Sequence, residues 1–251
     1  MRNGRPSGPN RLRWMAALAV LPVIALLVVL AWWLLLRGAN DDGPGVGGLK
    51  PIARLNAPDV HSLLIDPTDP EHVLFGSHAG IMESRDGGFV WQPGNLRDAD
   101  AMNIASSLKD GDTLYVTGHD VFQVSHDSGR NWRPLTHDLP GTDLHAFAQD
   151  PADPRRLYAY VAGDRIYASS DAGETWESLP AQPGGQPLAL ATTGTALYVA
   201  TPTGIEASLD GGVTWSRLTN QPSGGAFSLA VTEAEPQVIY AGTPTGVAKS
   251  T

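Results

Sequence analysis

One eight-residue pattern, Ser-x-Asp-x-Gly-x-Thr-Trp, occurs four times in this chain and constrains its fold more than any other feature. The clearest copy runs from Ser169 to Trp176, and the aspartates of successive copies lie 41, 44 and 39 positions apart. The recurring box residues are Ser84, Asp86, Gly88, Trp91, Ser125, Asp127, Gly129, Trp132, Ser169, Asp171, Gly173, Trp176, Ser208, Asp210, Gly212 and Trp215. A repeat of about 40 residues is typical of propellers and solenoids. The spacing therefore predicts a repeated architecture.

Three short β-patterns, strands A, B and C, precede each box, and a fourth, strand D, begins at the box tryptophan. Strand A covers 60–67, 102–107, 144–151, 187–192 and 226–231, and strand B covers 72–77, 113–118, 156–161, 196–201 and 238–243. Strand C is the five-residue run that enters each box. Four short strands per repeat make one propeller blade. The fold class predicted for residues 49–251 is therefore all-β, a five-bladed β-propeller of four-stranded blades.

The fifth repeat stops where its box should begin, so it lacks strand D. Residues 49–56 precede the first strand A and belong to no complete blade. We expect this N-terminal strand to pair onto the last blade and close the ring, because closure removes open sheet edges that favour aggregation.

The N-terminal region predicts a membrane anchor. Residues 14–36 form a 23-residue stretch without a charge, long enough for one transmembrane helix. The basic segment 1–13 precedes it and a flexible linker, 37–48, follows. The excess of arginine before the stretch places the N-terminus in the cytoplasm and the propeller on the extracytoplasmic side of the plasma membrane. A cleaved secretory signal is the alternative, but it needs a shorter apolar core and a small-residue cleavage site.

Composition excludes several classes of site. The chain has no cysteine, which removes disulfides, thiolate nucleophiles and Cys-ligated zinc. Five of its 17 basic residues lie in the first 37 positions, so residues 38–251 carry 12 basic against 26 acidic side chains, a formal charge of −14. A domain this acidic repels phosphate backbones, so nucleic acid is not an expected partner.

The box has a complete structural explanation as the turn between strands C and D. Its Ser and Asp side chains can hydrogen-bond nearby backbone N–H groups, its Gly supplies a positive φ, and its Trp packs on the neighbouring blade. Val90 and Asn131 replace the Thr in two copies, and we expect those turns to be looser.

The pattern resembles the Asp-box, or BNR repeat, of sialidases, sortilin-type receptor domains and many bacterial propellers. The Asp-Pro-x-Asp-Pro turns at 66–70 and 150–154 add to the resemblance, which covers residues 49–251. It implies the propeller fold, with the boxes on the rim away from any active site. Photosystem assembly propellers share this repeat type, but they are larger and carry a basic face that this acidic domain lacks.

The resemblance to sialidases also implies what a glycoside hydrolase would need. That class uses an arginine triad, a Tyr nucleophile with a Glu partner, and an acid Asp. The family's Arg-Ile-Pro motif is absent, and residues 50–52, Lys-Pro-Ile, do not supply it. Glu83 and Glu206 occupy equivalent positions in strand C, but nothing in the sequence brings them together. We therefore predict no catalytic residues.

One group of polar side chains suggests a binding face. His61, Asn103 and His145 share a position at the start of strand A, and His78 and His119 lie in B–C loops. All five are expected at the mouth of the central channel, on the face opposite the boxes. Imidazoles near carboxylates suit zinc, copper or iron, yet no spacing matches a metal motif. Solvated loop residues are the alternative, so metal binding stays undecided and no cofactor is predicted.

These observations favour a membrane-anchored, extracytoplasmic propeller that acts as a non-catalytic protein-interaction or assembly module. Its expected partners are the membrane and another protein at the membrane surface. The alternatives are an Asp-box glycoside hydrolase of the sialidase type and a ligand or metal sensor that uses the histidine-bearing face.

Overall fold

Five antiparallel sheets follow one another along the chain in the computed structural model, which describes residues 53, 55–57, 59–221, 224–233 and 237–250. Each of the first four sheets has four strands in the order A, B, C, D. The predicted five-bladed, four-stranded propeller is confirmed. Within the described ranges every regular element is a β-strand, and no helix there could cross a bilayer. The predicted basic segment 1–13, anchor 14–36 and linker 37–48 lie outside the described residues.

The strand bounds follow the repeat. Blade one contains β1 (Ser62–Ile65), β2 (Val73–Ser77), β3 (Gly80–Ser84) and β4 (Gln92–Arg97). Blade two contains β5 (Asn103–Ser107), β6 (Asp110–Gly118), β7 (Val121–Ser125) and β8 (Arg133–Pro134). Blade three contains β9 (Leu144–Gln149), β10 (Leu157–Val161), β11 (Ile166–Ser169) and β12 (Glu177–Ser178). Blade four contains β13 (Ala189–Thr193), β14 (Ala196–Thr201), β15 (Gly204–Ser208) and β16 (Ser216–Arg217). Blade five contains β17 (Ser228–Val231), β18 (Ile239–Thr243) and β19 (Gly246–Lys249).

Strand B lies between strands A and C in every blade, and its sequence suits this inner position. Residues of β2, β10 and β14 are buried without exception, so both faces of these strands pack against apolar neighbours. Strands buried on both faces read as continuous apolar runs, as Leu-Tyr-Ala-Tyr-Val does in β10. Strand D begins one residue after the box tryptophan, and it is only two residues long in blades two, three and four.

Apolar clusters lie in the seams between consecutive blades. One joins blades one and two around Leu74 and Leu114, and the next joins blades two and three around Tyr115 and Leu144. Others join blades three and four and blades four and five. Seam packing of this kind holds a propeller together because each blade buries its faces only against its neighbours.

The two terminal blades keep one apolar face exposed. In blade one Leu63 is 63% and Ile65 57% exposed, and in blade five Val247 is 75% exposed. No cluster of described buried residues joins blade five to blade one. The fifth sheet has three strands among the described residues. Of the predicted closing strand 49–56, residues 49–52 and 54 lie outside the described part and the other three are in no strand, so ring closure stays a prediction.

Candidate functional site

Three aspartates at the same position of consecutive blades build the mouth of the propeller. Asp59, Asp100 and Asp143 lie one to three residues before strand A in blades one, two and three. Asp59 Oδ1 accepts a hydrogen bond from the backbone N–H of His78 at 3.0 Å, and Asp100 Oδ2 accepts one from the N–H of His119 at 3.3 Å. Asp59 and Asp100 thereby tie the D–A connection to the B–C turn of their own blades.

Histidines bridge these aspartates from one blade to the next. His78 places Nδ1 2.8 Å from Asp59 Oδ2 and Nε2 4.0 Å from Asp100 Oδ2. His119 continues the pattern, with Nδ1 2.5 Å from Asp100 Oδ2 and Nε2 3.7 Å from Asp143 Oδ1. The imidazole planes of His78 and His119 are stacked at 6.2 Å. The result is a continuous chain of alternating imidazoles and carboxylates across three blades.

Two further histidines complete this chain at its ends. His61 Nε2 lies 2.9 Å from His78 Nδ1 and 3.4 Å from Asp59 Oδ1. His145 Nε2 lies 3.0 Å from Asp143 Oδ1. We call the whole set the histidine–aspartate row, which consists of Asp59, His61, His78, Asp100, His119, Asp143 and His145. All four histidines predicted at the channel mouth belong to it.

Asn103, the fifth predicted ligand residue, lies outside the row. Its Nδ2 donates to Thr117 Oγ1 at 3.1 Å and to the Leu144 carbonyl at 3.3 Å. The second of these bonds joins blade two to blade three. Asn103 therefore serves here as a link between blades.

Asp59 and His78, at one end of the row, each shift the pKa of the other toward its charged form. The backbone N–H of His78, more than the imidazole, holds the pKa of Asp59 below its usual value. The hydrogen bond to Asp59, with the charge of Asp100 as a smaller cause, raises the pKa of His78. Among the described residues no lysine or arginine forms an ion pair with the row. The row is thus an acidic surface whose only basic groups are imidazoles.

Sequence reasoning found the histidines and missed the aspartates. The signal was present, since Asp59, Asp100 and Asp143 are 41 and 43 positions apart, which is the period of the boxes. Their position lies in the D–A connection, where no strand pattern draws attention to a single residue. Registering acidic residues against the repeat would have identified them.

A second histidine site, on the box side of blade one, was also missed. His72 is 1% exposed, with Nδ1 2.9 Å from Asp66 Oδ2 and Nε2 3.0 Å from Glu83 Oε1. The second approach lacks good hydrogen-bond alignment. Burial raises the pKa of Asp66, but the hydrogen bonds from His72 and Thr68 lower it by more, so the net shift is downward. The site links strands A, B and C where they meet the Asp-Pro-Thr-Asp-Pro turn.

The two strand-C glutamates of the glycosidase hypothesis have separate partners. Glu83 pairs with Arg85 and lies against His72. Glu206, in blade four, accepts backbone hydrogen bonds from Gly184 at 2.8 Å and Gly185 at 3.1 Å. Each carboxylate therefore stabilises its own blade. A glycosidase would need its two carboxylates about 5–10 Å apart across a substrate.

The boxes are turns, as the sequence predicts. In every copy the Ser Oγ donates to the Asp Oδ1 at 2.7–2.8 Å and accepts from the Gly N–H at 2.8–3.0 Å. The box glycines have φ of 81–94°, and the residue before each also has a positive φ, including Ser128 and Ala172. A positive φ favours glycine. The hydrogen bonds of the box Ser and Asp side chains hold the turn in this conformation.

The expectation that Asn131 loosens its box is wrong. Asn131 Nδ2 donates to Asp127 Oδ2 at 2.6 Å, which replaces the bond that Thr175 Oγ1 makes to Asp171 Oδ2 at 2.5 Å. An amide N–H reaches the carboxylate as well as a hydroxyl does. Val90 has no side-chain donor, so the seventh residue of its box bonds Asp86 through its backbone N–H alone.

The box tryptophan fills the seam between its own blade and the preceding one. Trp176 is 8% exposed and packs with Phe122 and Tyr115 of blade two, and its Nε1 donates to the Gly173 carbonyl at 2.8 Å. The seam between blades four and five instead contains an open groove of about 310 Å³. Its apolar lining is Ile205, Leu218, Ile239, Ala241 and Ala248. The groove marks the position that a fourth strand of blade five would cover.

Comparisons with known proteins place the chain in a family. The family model described as photosynthesis system II assembly factor YCF48 matches residues 55–203, more than half of the chain. The photosystem II assembly protein Ycf48 of Synechococcus sp. (strain JA-2-3B'a(2-13)) is 29% identical over 151 residues, which cover 54% of this chain and 44% of that protein. The chain thus spans less than half the length of this curated relative.

Solved structures share the fold at low identity. The structure titled "YCF48 bound to D1 peptide" superposes with a TM-score of 0.55 at 18% identity, covering 76% of this chain and 63% of that one. A GH74 xyloglucanase from Xanthomonas campestris gives 0.56 at 19% identity, covering 76% and 35%. At these identities the likeness shows the propeller fold alone, so the family model carries the assignment. The chain belongs to the family of the photosynthesis system II assembly factor YCF48.

Proposed function

We propose that this chain is a non-catalytic assembly module that binds another protein with the mouth of its propeller. Membership of an assembly-factor family is the observation that carries the proposal. The matched residues 55–203 include every member of the histidine–aspartate row. A solved relative is titled as bound to a peptide, which supports a protein segment as the kind of partner.

The row suits recognition of a protein because it is rigidly positioned and partly exposed. Its side chains range from 9% exposed for Asp100 to 54% for His78. Most residues of the row lie in loops, and loops carry binding residues more often than the scaffold strands do. Its carboxylates favour a partner segment that brings lysine, arginine or hydrogen-bond donors.

A comparison of variants tests the surface. The full chain, a mouth variant with His119→Ser and Asp143→Ser, and a box-side variant with Asp112→Ser and Asp153→Ser are expressed in the native host and purified from its membranes. Mass spectrometry then quantifies the proteins that co-purify. We expect one or a few proteins to be lost specifically from the mouth variant. An identical set of proteins with all three chains would contradict the proposal.

The second part of the proposal is that residues 14–36 anchor the propeller on the extracytoplasmic side. Four arginines precede this apolar stretch and one follows it closely, which supports this orientation. Alkaline phosphatase fused after residue 251 should be active in intact cells, whereas a fusion that lacks residues 14–36 should be inactive. Equal activity of both fusions would argue against the anchor.

A further inference from the structure

We propose that the histidine–aspartate row binds a divalent transition-metal ion of the zinc type between His78, Asp100 and His119. This inference goes beyond protein binding, since it assigns a ligand that the row holds without any partner. The three side chains come from blades one and two, so the ion would join two blades at the mouth.

The donor atoms have the spacing of a ligand set. One atom each from His78, Asp100 and His119 can be chosen such that all lie within 4.8 Å of one another. Zinc–ligand distances of about 2.0–2.2 Å in a tetrahedral site put neighbouring ligand atoms roughly 3.3 Å apart. The observed separations from Asp100 Oδ2, 2.5 Å to His119 Nδ1 and 4.0 Å to His78 Nε2, lie on either side of that value. Small side-chain rotations would therefore bring the three ligand atoms to the spacing of a tetrahedral site.

Asp100 provides the independent sign of a missing ligand. Its side chain is 9% exposed, and its Oδ1 is buried without a hydrogen-bond partner. Buried carboxylate oxygens are almost always satisfied, and an unsatisfied one destabilises the fold. His61 Nε2 lies 3.8 Å from the same oxygen, too far for a hydrogen bond. A cation bound by both oxygens of Asp100 would satisfy Oδ1.

Asp59 prepares His78 for this role. It lies against Nδ1 of His78, and this leaves Nε2 on the side of Asp100. A carboxylate that holds the distal nitrogen of a histidine is the usual arrangement behind metal-binding imidazoles, because it fixes the tautomer and the ring orientation.

The donor set selects the type of metal. Imidazole nitrogen with carboxylate oxygen suits zinc, copper or nickel, whereas calcium and magnesium prefer sites built from oxygen alone. The chain has no cysteine, so thiolate sites are excluded. No lysine or arginine among the described residues forms an ion pair with the row, so a cation meets no fixed positive charge in contact there.

Calorimetric titration with Zn²⁺ alone tests the inference. The full chain is purified in detergent without a histidine tag, stripped with a chelator and titrated at pH 7.5. We expect binding of one equivalent, and a loss of affinity of about 10–100-fold or more in Asp100→Asn and in His119→Gln. His126→Gln is the matched control, since this histidine lies on the box side, where it bonds Thr113 and Arg133. Its affinity should match that of the natural chain.

Two further readouts separate a metal site from an ion-pair network. Binding should weaken as the pH falls below about 6.5, because protons compete with the metal for imidazole nitrogen. Co²⁺ in place of Zn²⁺ should give visible absorption bands that disappear in His119→Gln. The melting temperature without metal verifies that each variant is folded. Equal Zn²⁺ affinity in the natural chain and in the double variant His78→Gln with His119→Gln would overturn the inference, as would the absence of binding.

Discussion

At the scale of single residues, His72 should contribute more to stability than any histidine of the mouth. It is 1% exposed and contacts the carboxylates of Asp66 and Glu83. Removing one partner from a buried ionic group leaves the others unpaired, which costs about 3–5 kcal/mol. We therefore expect His72→Leu to lower the free energy of unfolding by about 3 kcal/mol or more, as measured by denaturant titration.

The matched control for His72 is His126→Leu. His126 is exposed and, among the described residues, bonds Thr113 and Arg133 alone, so its loss should change the free energy of unfolding by about 0.5 kcal/mol or less. Equal destabilisation by the two substitutions would show that the buried position of His72 between two carboxylates adds nothing to the free energy of unfolding.

The first box offers a gain of stability through one side chain. Val90 makes only a backbone bond to Asp86, whereas Thr214 also donates its hydroxyl to Asp210 Oδ2 at 2.6 Å. Val90→Thr should add that bond, and it should raise the denaturant concentration at the unfolding midpoint. Asn131→Thr should leave the midpoint nearly unchanged, because Asn131 already bonds its aspartate. A larger gain from Asn131→Thr than from Val90→Thr would contradict this explanation.

At the scale of the box, acid should weaken the turns together. Hydrogen bonds from the seventh box residue and the Ser hydroxyl hold the pKa of Asp127, Asp171 and Asp210 at about 2. An unfolded aspartate has a pKa of about 3.9. Since the folded pKa is the lower one, the boxes contribute their full stability above pH 4 and lose it as the pH falls toward 2.

Unfolding free energies measured from pH 5 to pH 2 test the acid response of the boxes. The natural chain should lose stability across this window, and replacing the three aspartates by asparagine should flatten the dependence. If the triple variant has the same slope as the natural chain, the acid response comes from other groups.

The sequence predicted the strands well because the information is local. The continuous apolar run of strand B, as in β10, the turn residues and the box recur with the period of a blade, so register follows from alignment of the chain with itself. Strand D was the least well predicted. In three blades it is two residues long, because its pairing with strand C ends soon after the tryptophan fills the seam.

The side-chain partners at the mouth could not be predicted in the same way. His78 and His119 contact Asp100 from two different blades, and such contacts depend on how blades pack rather than on any local pattern. The same holds for Asn131, which replaces the threonine of the box pattern. Its bond to Asp127 depends on side-chain reach, which a consensus pattern does not describe.

At the scale of the whole molecule, neither size nor charge excludes a chain from this family. This chain differs from photosystem assembly propellers in two features that its sequence predicts, namely five blades and an acidic domain. The family model nevertheless matches residues 55–203. Surface charge affects which partners a protein binds. The fold of the family is instead determined by the boxes and by the apolar seams between blades.

Ring closure predicts a further whole-molecule property. The groove of about 310 Å³ beside β19 should take residues 49–56 as the fourth strand of blade five. Deleting these residues should lower the melting temperature and promote aggregation, because an apolar seam and a strand edge stay open. Deleting an equal length of the linker, residues 39–46, is the control and should change neither property. An unchanged melting temperature in the first deletion would contradict closure.

Photo-crosslinking in living cells shows directly which face of the propeller contacts a partner protein. A photoreactive amino acid replaces Ala79, an exposed residue of the mouth beside His78, or Leu209, which is 72% exposed in the fourth box. We expect a covalent adduct with a defined protein from position 79 and none from position 209. Adducts that form from position 209 alone, or equally from both positions, would contradict this expectation.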